Sequence, residues 1–169
     1  MRKLLLALAL FAQTAVASEN LKSIQTEHFA LRLPETWAET KTTEPGFWQY
    51  ANSVSNEALS ISVVKATPSI SPQDRANRLN EFLIARLKVE REQAQSGEIE
   101  LTEPKIQSQG VALIATYSGV QRNKSRRFLT FVVINSKRLV CFYFEALDMA
   151  EAAFRQRQSE ILGTVQVTD

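Results

Sequence analysis

The side chains that could bind or react are few, and most sit in two short stretches. Arg122-Asn123-Lys124-Ser125-Arg126-Arg127 gathers four cations into six residues between two strand-like runs, so it reads as a hairpin tip. Two uses compete for it. It can be a solvated turn that also discourages edge-to-edge aggregation, or a contact for an anionic envelope surface or an acidic protein. As exposed charges, Arg126 and Arg127 would add little to stability, so their reversal is expected to leave the fold intact. The second stretch is aromatic: Trp37, then Phe47-Trp48-Tyr50, around one polar loop. Core packing against the long helix is the expected use, and a ligand-binding lip carrying Trp37 and Trp48 is the alternative.

The rest of the inventory argues against catalysis. His28 is the only histidine, which excludes a zinc site with two or three His ligands from one chain. A Ser-His-Asp triad would need His28 and a free Asp, but Asp74 and Asp148 read as helix-start residues and Asp169 is the last residue. No G-x-S-x-G or H-E-x-x-H occurs, and Gly46, Gly97, Gly110, Gly119 and Gly163 are too dispersed to cradle a phosphate. His28 reads as a surface residue at a strand start, and Glu98, Glu100 and Glu103 as a solvated strand face. No catalytic residue, metal ligand or cofactor is expected.

Composition sets the setting for these residues. With 44% hydrophobic residues and one Cys among 169, the chain has the profile of a single globular domain. Arg2 and Lys3, the apolar run Leu4 to Phe11 and the Ala15-Val16-Ala17 site read as a signal peptide over 1–17, cleaved before Ser18. Gln13 and Thr14 end the run short of the ~20 apolar residues a spanning helix needs. Removing Arg2 and Lys3 from 20 cations leaves 18 against 18 acids, so no global field points to nucleic acid. The basic stretch is also too short, and too poor in exposed aromatics, for that use. The expected product is a periplasmic protein, with an extracellular one as the alternative. Cys141 has no partner within the chain and lies in the apolar run Leu139 to Phe144, so it reads as a buried core residue.

The elements that must position these residues follow from spacing. Residues 18–26 are polar and read as a flexible lead-in to a domain over 27–169. His28 to Leu33 alternates and stops at Pro34, a strand ended by a residue without an N–H. Thr36 to Gly46 reads as a loop, and Phe47 to Asn52 and Leu59 to Thr67 as strands. Ser71, Pro72 and Asp74 mark a helix start, and Ala76, Leu79, Phe82, Leu83 and Leu87 form its core stripe before Gly97 closes it. Four strands follow: Ile99 to Ser108, demoted to an edge or bulged strand by Pro104, then Val111 to Val120, Arg127 to Asn135 and Arg138 to Leu147. Short turns make them antiparallel. In the last two, Phe128, Val132 and Ile134 oppose Leu129, Phe131 and Val133, and Val140, Phe142 and Phe144 oppose Leu139, Cys141 and Tyr143. Strands apolar on both faces need cover on both sides. Asp148 to Glu151 then reads as a cap for a closing helix, with Ala150, Phe154, Ile161 and Val165 at helical spacing until Gly163 loosens its end.

These elements predict an α+β fold, a three-layer α/β/α sandwich with a central, mainly antiparallel sheet of six or seven strands. Phe29-x-Leu31-x-Leu33-Pro34-x-x-Trp37 and the Ala153-Phe154 to Val165 helix resemble the opening and closing segments of the PsbP-like superfamily. That superfamily takes in photosystem II accessory proteins, Mog-type Ran regulators and DcrB-like bacterial envelope proteins. The resemblance implies a non-enzymatic binding or assembly module and brings no catalytic residues. The expected function is therefore an exported binding or accessory module of the envelope, a monomer that does not span the membrane, with an acidic protein or an anionic envelope surface as partner. The alternatives are a periplasmic immunity protein that neutralises a delivered toxin, and a small hydrolase with an unrecognised site.

Overall fold

The computed structural model describes residues 20–93 and 99–168. The leader at 1–17, Gly97 and Glu98 lie outside the described residues. The chain runs β1 (Leu21–Gln25), β2 (Phe29–Pro34), β3 (Ala38–Thr40), β4 (Phe47–Asn52), β5 (Glu57–Lys65), α1 (Pro72–Gln93), β6 (Ile99–Leu101), β7 (Lys105–Gln109), β8 (Ala112–Gln121), β9 (Arg126–Ile134), β10 (Arg138–Leu147), α2 (Glu151–Leu162) and β11 (Gln166–Val167).

Eight strands form one antiparallel sheet in the order β3-β4-β5-β10-β9-β8-β6, with β7 also paired to β8. The break between β6 and β7 falls at Pro104, where the missing N–H interrupts the ladder at the sheet's edge. Central β9 and β10 are apolar on both faces, and each face has its own core. Leu129, Val140, Phe142 and Phe144 pack with Phe154 and Ile161 of α2 and with Phe29, Leu31 and Leu33 of β2. Phe128, Val132, Ile134, Leu139 and Cys141 pack with Leu79 and Leu83 of α1. The fold is therefore α+β and mainly antiparallel, with α1 on one face and α2 on the other.

Helix α1 starts where the capping residues require. The Ser71 hydroxyl accepts from the Asp74 backbone N–H at 3.1 Å and donates to the Asp74 carboxylate at 2.6 Å, satisfying one of the helix's free donors.

Several expectations need correction. The main sheet has eight strands rather than six or seven, and a second sheet, β1-β2-β11, has three. The lead-in is not loose over its whole length: Leu21–Gln25 pairs with β2, Ile24 opposite Leu31. Its polar alternation is that of an edge strand, half-buried on one side only. The loop over 36–46 contains the short edge strand β3. Asp148 does not cap α2. It takes a left-handed conformation, φ 54°, and its N–H donates to the Ser125 carbonyl at the hairpin, while Ala150 holds the cap position. The helix ends at Gly163, where the sequence loosens it, so Val165 lies beyond it, and Gln166–Val167 pair with β2 as β11.

Candidate functional site

Between β8 and β9 the chain makes one 3-10 turn, Arg122–Lys124, and passes through Ser125 in the left-handed region. Arg122 is exposed and grips Glu100 with two hydrogen bonds, Nε to Oε1 at 2.8 Å and Nη2 to Oε2 at 3.0 Å. That fork holds the Glu100 carboxyl below its ordinary range. Arg126 and Arg127 follow the strand's alternation and part to opposite faces. The Arg126 side chain, 16% exposed, turns to the α1 side. There its Nε donates to Glu145 at 2.8 Å, its Nη1 to Gln121 at 3.2 Å and its Nη2 to the Tyr143 hydroxyl, with the guanidinium 4.9 Å from the Phe128 ring centre. Arg127 turns to the α2 side, donates to the Met149 carbonyl at 3.1 Å and lies 3.8 Å from Glu151. Among the described residues, Lys124 makes no ion pair. The six-residue stretch is therefore not one free basic patch, and reversing both arginines would break one buried anchor and one half-exposed one.

Below Arg126 lies a buried charge cluster that the sequence reading passed over. Glu90 of α1 is 1% exposed, with Oε1 2.8 Å from Arg86 Nη2 and Oε2 3.8 Å from Arg126 Nη2. Burial pushes its carboxyl above the ordinary range, against the opposing pull of Arg86 and Arg126. Arg86 also lies over the Tyr143 ring, 4.6 Å from its centre. The signal was present: Arg86 and Glu90 continue the Leu79–Leu83 stripe at spacings of three and four, so a charged pair occupies the helix's core face. Cys141 belongs to the same interior, and burial pushes its thiol up to about 12. A neutral, enclosed thiol is a poor nucleophile. On the other face, buried Glu57 of β5 accepts from Arg157 of α2 at 3.1 Å and from the Ser55 hydroxyl.

The aromatics divide as well. Trp37 is 1% exposed and packs 6.1 Å from Phe144, which stacks on Phe154 of α2 at 5.1 Å. Trp37 is thus a core residue and no lip, and the helix that covers it is the short α2 rather than the long α1. Trp48 is half-buried, edge-on to Phe29 at 5.1 Å and to His28 at 5.9 Å. His28 is not a surface residue. It is 5% exposed, with Nε2 3.0 Å from the Glu27 carboxylate and Nδ1 2.8 Å from Arg138 Nη1.

A wide opening lies on the α2 face. Helix α2 has 12 residues, about 18 Å at 1.5 Å per residue, and leaves the outer part of the sheet bare. Ser118 and Leu129 floor the resulting cleft of about 750 Å³. Its walls bring together Arg122 and Arg127 of the predicted basic stretch with Lys105 of β7 and Arg155 of α2. Glu151 pairs with both Arg127 and Arg155 across one wall. Lys124 and Arg126 instead line a smaller hollow of about 470 Å³ at the end of the sheet, beside Gln121 and Glu145. No described helix is long and apolar enough to cross a membrane.

No family model and no curated protein matches the chain. The solution structure of cyanobacterial PsbP from Synechocystis sp. PCC 6803 aligns with a TM-score of 0.66 at 16% identity, over 94% of this chain and 99% of that one. A crystal structure from Bacteroides thetaiotaomicron VPI-5482 aligns with a TM-score of 0.44 at 11% identity, over 83% of this chain and 45% of that one, and adds nothing to the argument. The fold is PsbP-like.

Proposed function

We propose that this PsbP-like chain is an exported accessory module of the cell envelope, acting in the periplasm by binding a partner rather than by catalysis. The observation that carries this reading is the cleft beside α2. Four cations from three separate parts of the chain, Lys105 of β7, Arg122 and Arg127 of the hairpin and Arg155 of α2, converge on a strip of sheet that α2 leaves bare. The three acids on its walls, Glu100, Glu103 and Glu151, leave a surplus of one positive charge (four against three). An acidic protein segment is the partner this reading names. We read the covers on the two faces as the outer layers of an α/β/α sandwich, which puts the cleft where the α2 layer stops.

Export is tested by sequencing the N-terminus of the protein recovered from the envelope fraction. Ser18 is expected, and a Met1 start there would overturn export. Binding is tested separately, with a photo-crosslinking residue placed at Gln158 in the cleft or at Ile84 on the outside of α1. Crosslinks from Gln158 that fade as salt rises, and none from Ile84, are the expected result, since exposed charges are screened beyond about 8 Å at physiological ionic strength. Equal crosslinking from both positions would overturn the cleft as the contact.

A further inference from the structure

His28, the only histidine of the chain, sits where the three-stranded sheet meets the main sheet. Its two ring nitrogens face opposite kinds of partner. Arg138, the first residue of β10, has only protons to give, so its Nη1 donates to Nδ1 at 2.8 Å and Nδ1 must be the unprotonated nitrogen. Nε2 then carries the proton and lies 3.0 Å from a Glu27 carboxylate oxygen. The same Arg138 Nη1, sharing its two protons among three acceptors, also reaches the Glu27 carbonyl at 2.9 Å and the Thr168 hydroxyl at 3.2 Å. Thr168, just past β11, returns its N–H to the His28 carbonyl at 3.0 Å and its hydroxyl to the Glu27 carbonyl at 2.8 Å. One guanidinium therefore ties the turn before β2, the end of β11 and the start of β10 together, and a neutral imidazole is one of its three acceptors.

We propose that His28 is a proton-sensitive catch, which holds β11 and the three-stranded sheet to β10 while neutral and loosens them when protonated. A second proton can go only to Nδ1, where it removes the acceptor and sets an imidazolium against the Arg138 guanidinium. The charged groups facing the ring are Arg138 of β10, Glu27 of the turn and Lys65 of β5. Glu27 is the one attraction, but it is 72% exposed and shared with Lys65 at 3.1 Å. Burial, then Arg138 and Lys65, hold the imidazole below its ordinary 6.5 despite Glu27. The sign follows: a depressed histidine lends stability above pH 6.5 that is lost as pH falls through its folded value.

The catch depends neither on export nor on a partner in the cleft. A single histidine gives the full chain a single imidazole, so NMR of the histidine-labelled protein reads it alone. Expected are the Nε2–H tautomer at neutral pH, a midpoint below 6.5, and faster hydrogen exchange of the Thr168 amide, corrected for intrinsic rate, over that same midpoint. Each unit of depression corresponds to about a tenfold change in the ratio of open to closed catch. His28→Asn, whose amide oxygen replaces Nδ1 as acceptor, should remove the pH dependence of Thr168 exchange. Arg138→Leu should raise the imidazole midpoint. A midpoint at or above 6.5, an Nδ1–H tautomer, or Thr168 exchange that ignores the imidazole's titration would each overturn the proposal. Should His28→Asn fail to fold, the wild-type titration and Arg138→Leu still decide it.

Discussion

Arg126 and Arg127 are consecutive residues whose guanidinium groups lie on opposite faces of the main sheet, and each lies 3.8 Å from a carboxylate of a different helix, Glu90 of α1 and Glu151 of α2. The hairpin base is thereby joined to both helices at once. A strand's two-residue period makes this arrangement available wherever two cations are adjacent. Whether they act as a surface patch or as two anchors depends on what covers each face.

The two anchors should differ in strength. Replacing Arg126 with Ala removes one of the two cations beside buried Glu90 and the partner of Glu145, and should cost about 3 kcal/mol, as breaking buried pairs does. Arg127 is more exposed and its carboxylate lies half in water, so Arg127→Ala should cost no more than about 1 kcal/mol. Chemical denaturation of the two variants measures the difference, and equal costs would contradict the placement of the side chains.

Glu90 sets a pH dependence of its own. Burial raises its folded midpoint above the ordinary 4.5, so the stability it contributes is fully present below about 4.5 and is lost as pH rises through the folded value. Glu90→Gln stays uncharged throughout. Its stability relative to wild type should therefore improve as pH rises from 4 to 7, and at pH 7 it should match or exceed wild type. Denaturation curves across that range are the check, and a relative loss on raising the pH would show that the ion pairs outweigh the burial.

Trp37 should matter for folding alone. With its ring enclosed by Phe144 and the α2 face, Trp37→Ala should cost about 3–5 kcal/mol, the range for truncating a buried aromatic. An unchanged melting temperature would place the ring outside the core.

Cys141 should be inert in the native state. The thiol is buried and pushed up to about 12, so a water-soluble thiol reagent at neutral pH should react only as fast as the protein opens. Denaturant should make labelling immediate. Rapid stoichiometric labelling without it would mean that the α1 face of β10 is uncovered.

What the sequence determined by itself was what short range decides. The Ser71–Asp74 cap, the stop at Pro34, the edge position of the stretch around Pro104 and the two-sided apolar alternation of β9 and β10 each depend on a few neighbouring residues, and each stands in the structure, although the stretch that reads as one strand over 99–108 is two, β6 and β7. The PsbP-like resemblance rested on the same kind of signal, the Phe29 to Trp37 segment. Only the tertiary structure decided which element covers each face, and that changed the meaning of the residues most open to chemistry. Arg126 became an interior anchor because Glu90 of α1, 36 positions earlier, lies below it. His28 became a buried hydrogen-bond partner because Arg138 and Thr168, more than 100 residues later, close over it. Polar residues spaced along a strand read as surface because exposure is their usual state. Their burial depends on partners brought in by chain closure, and no local pattern encodes those partners.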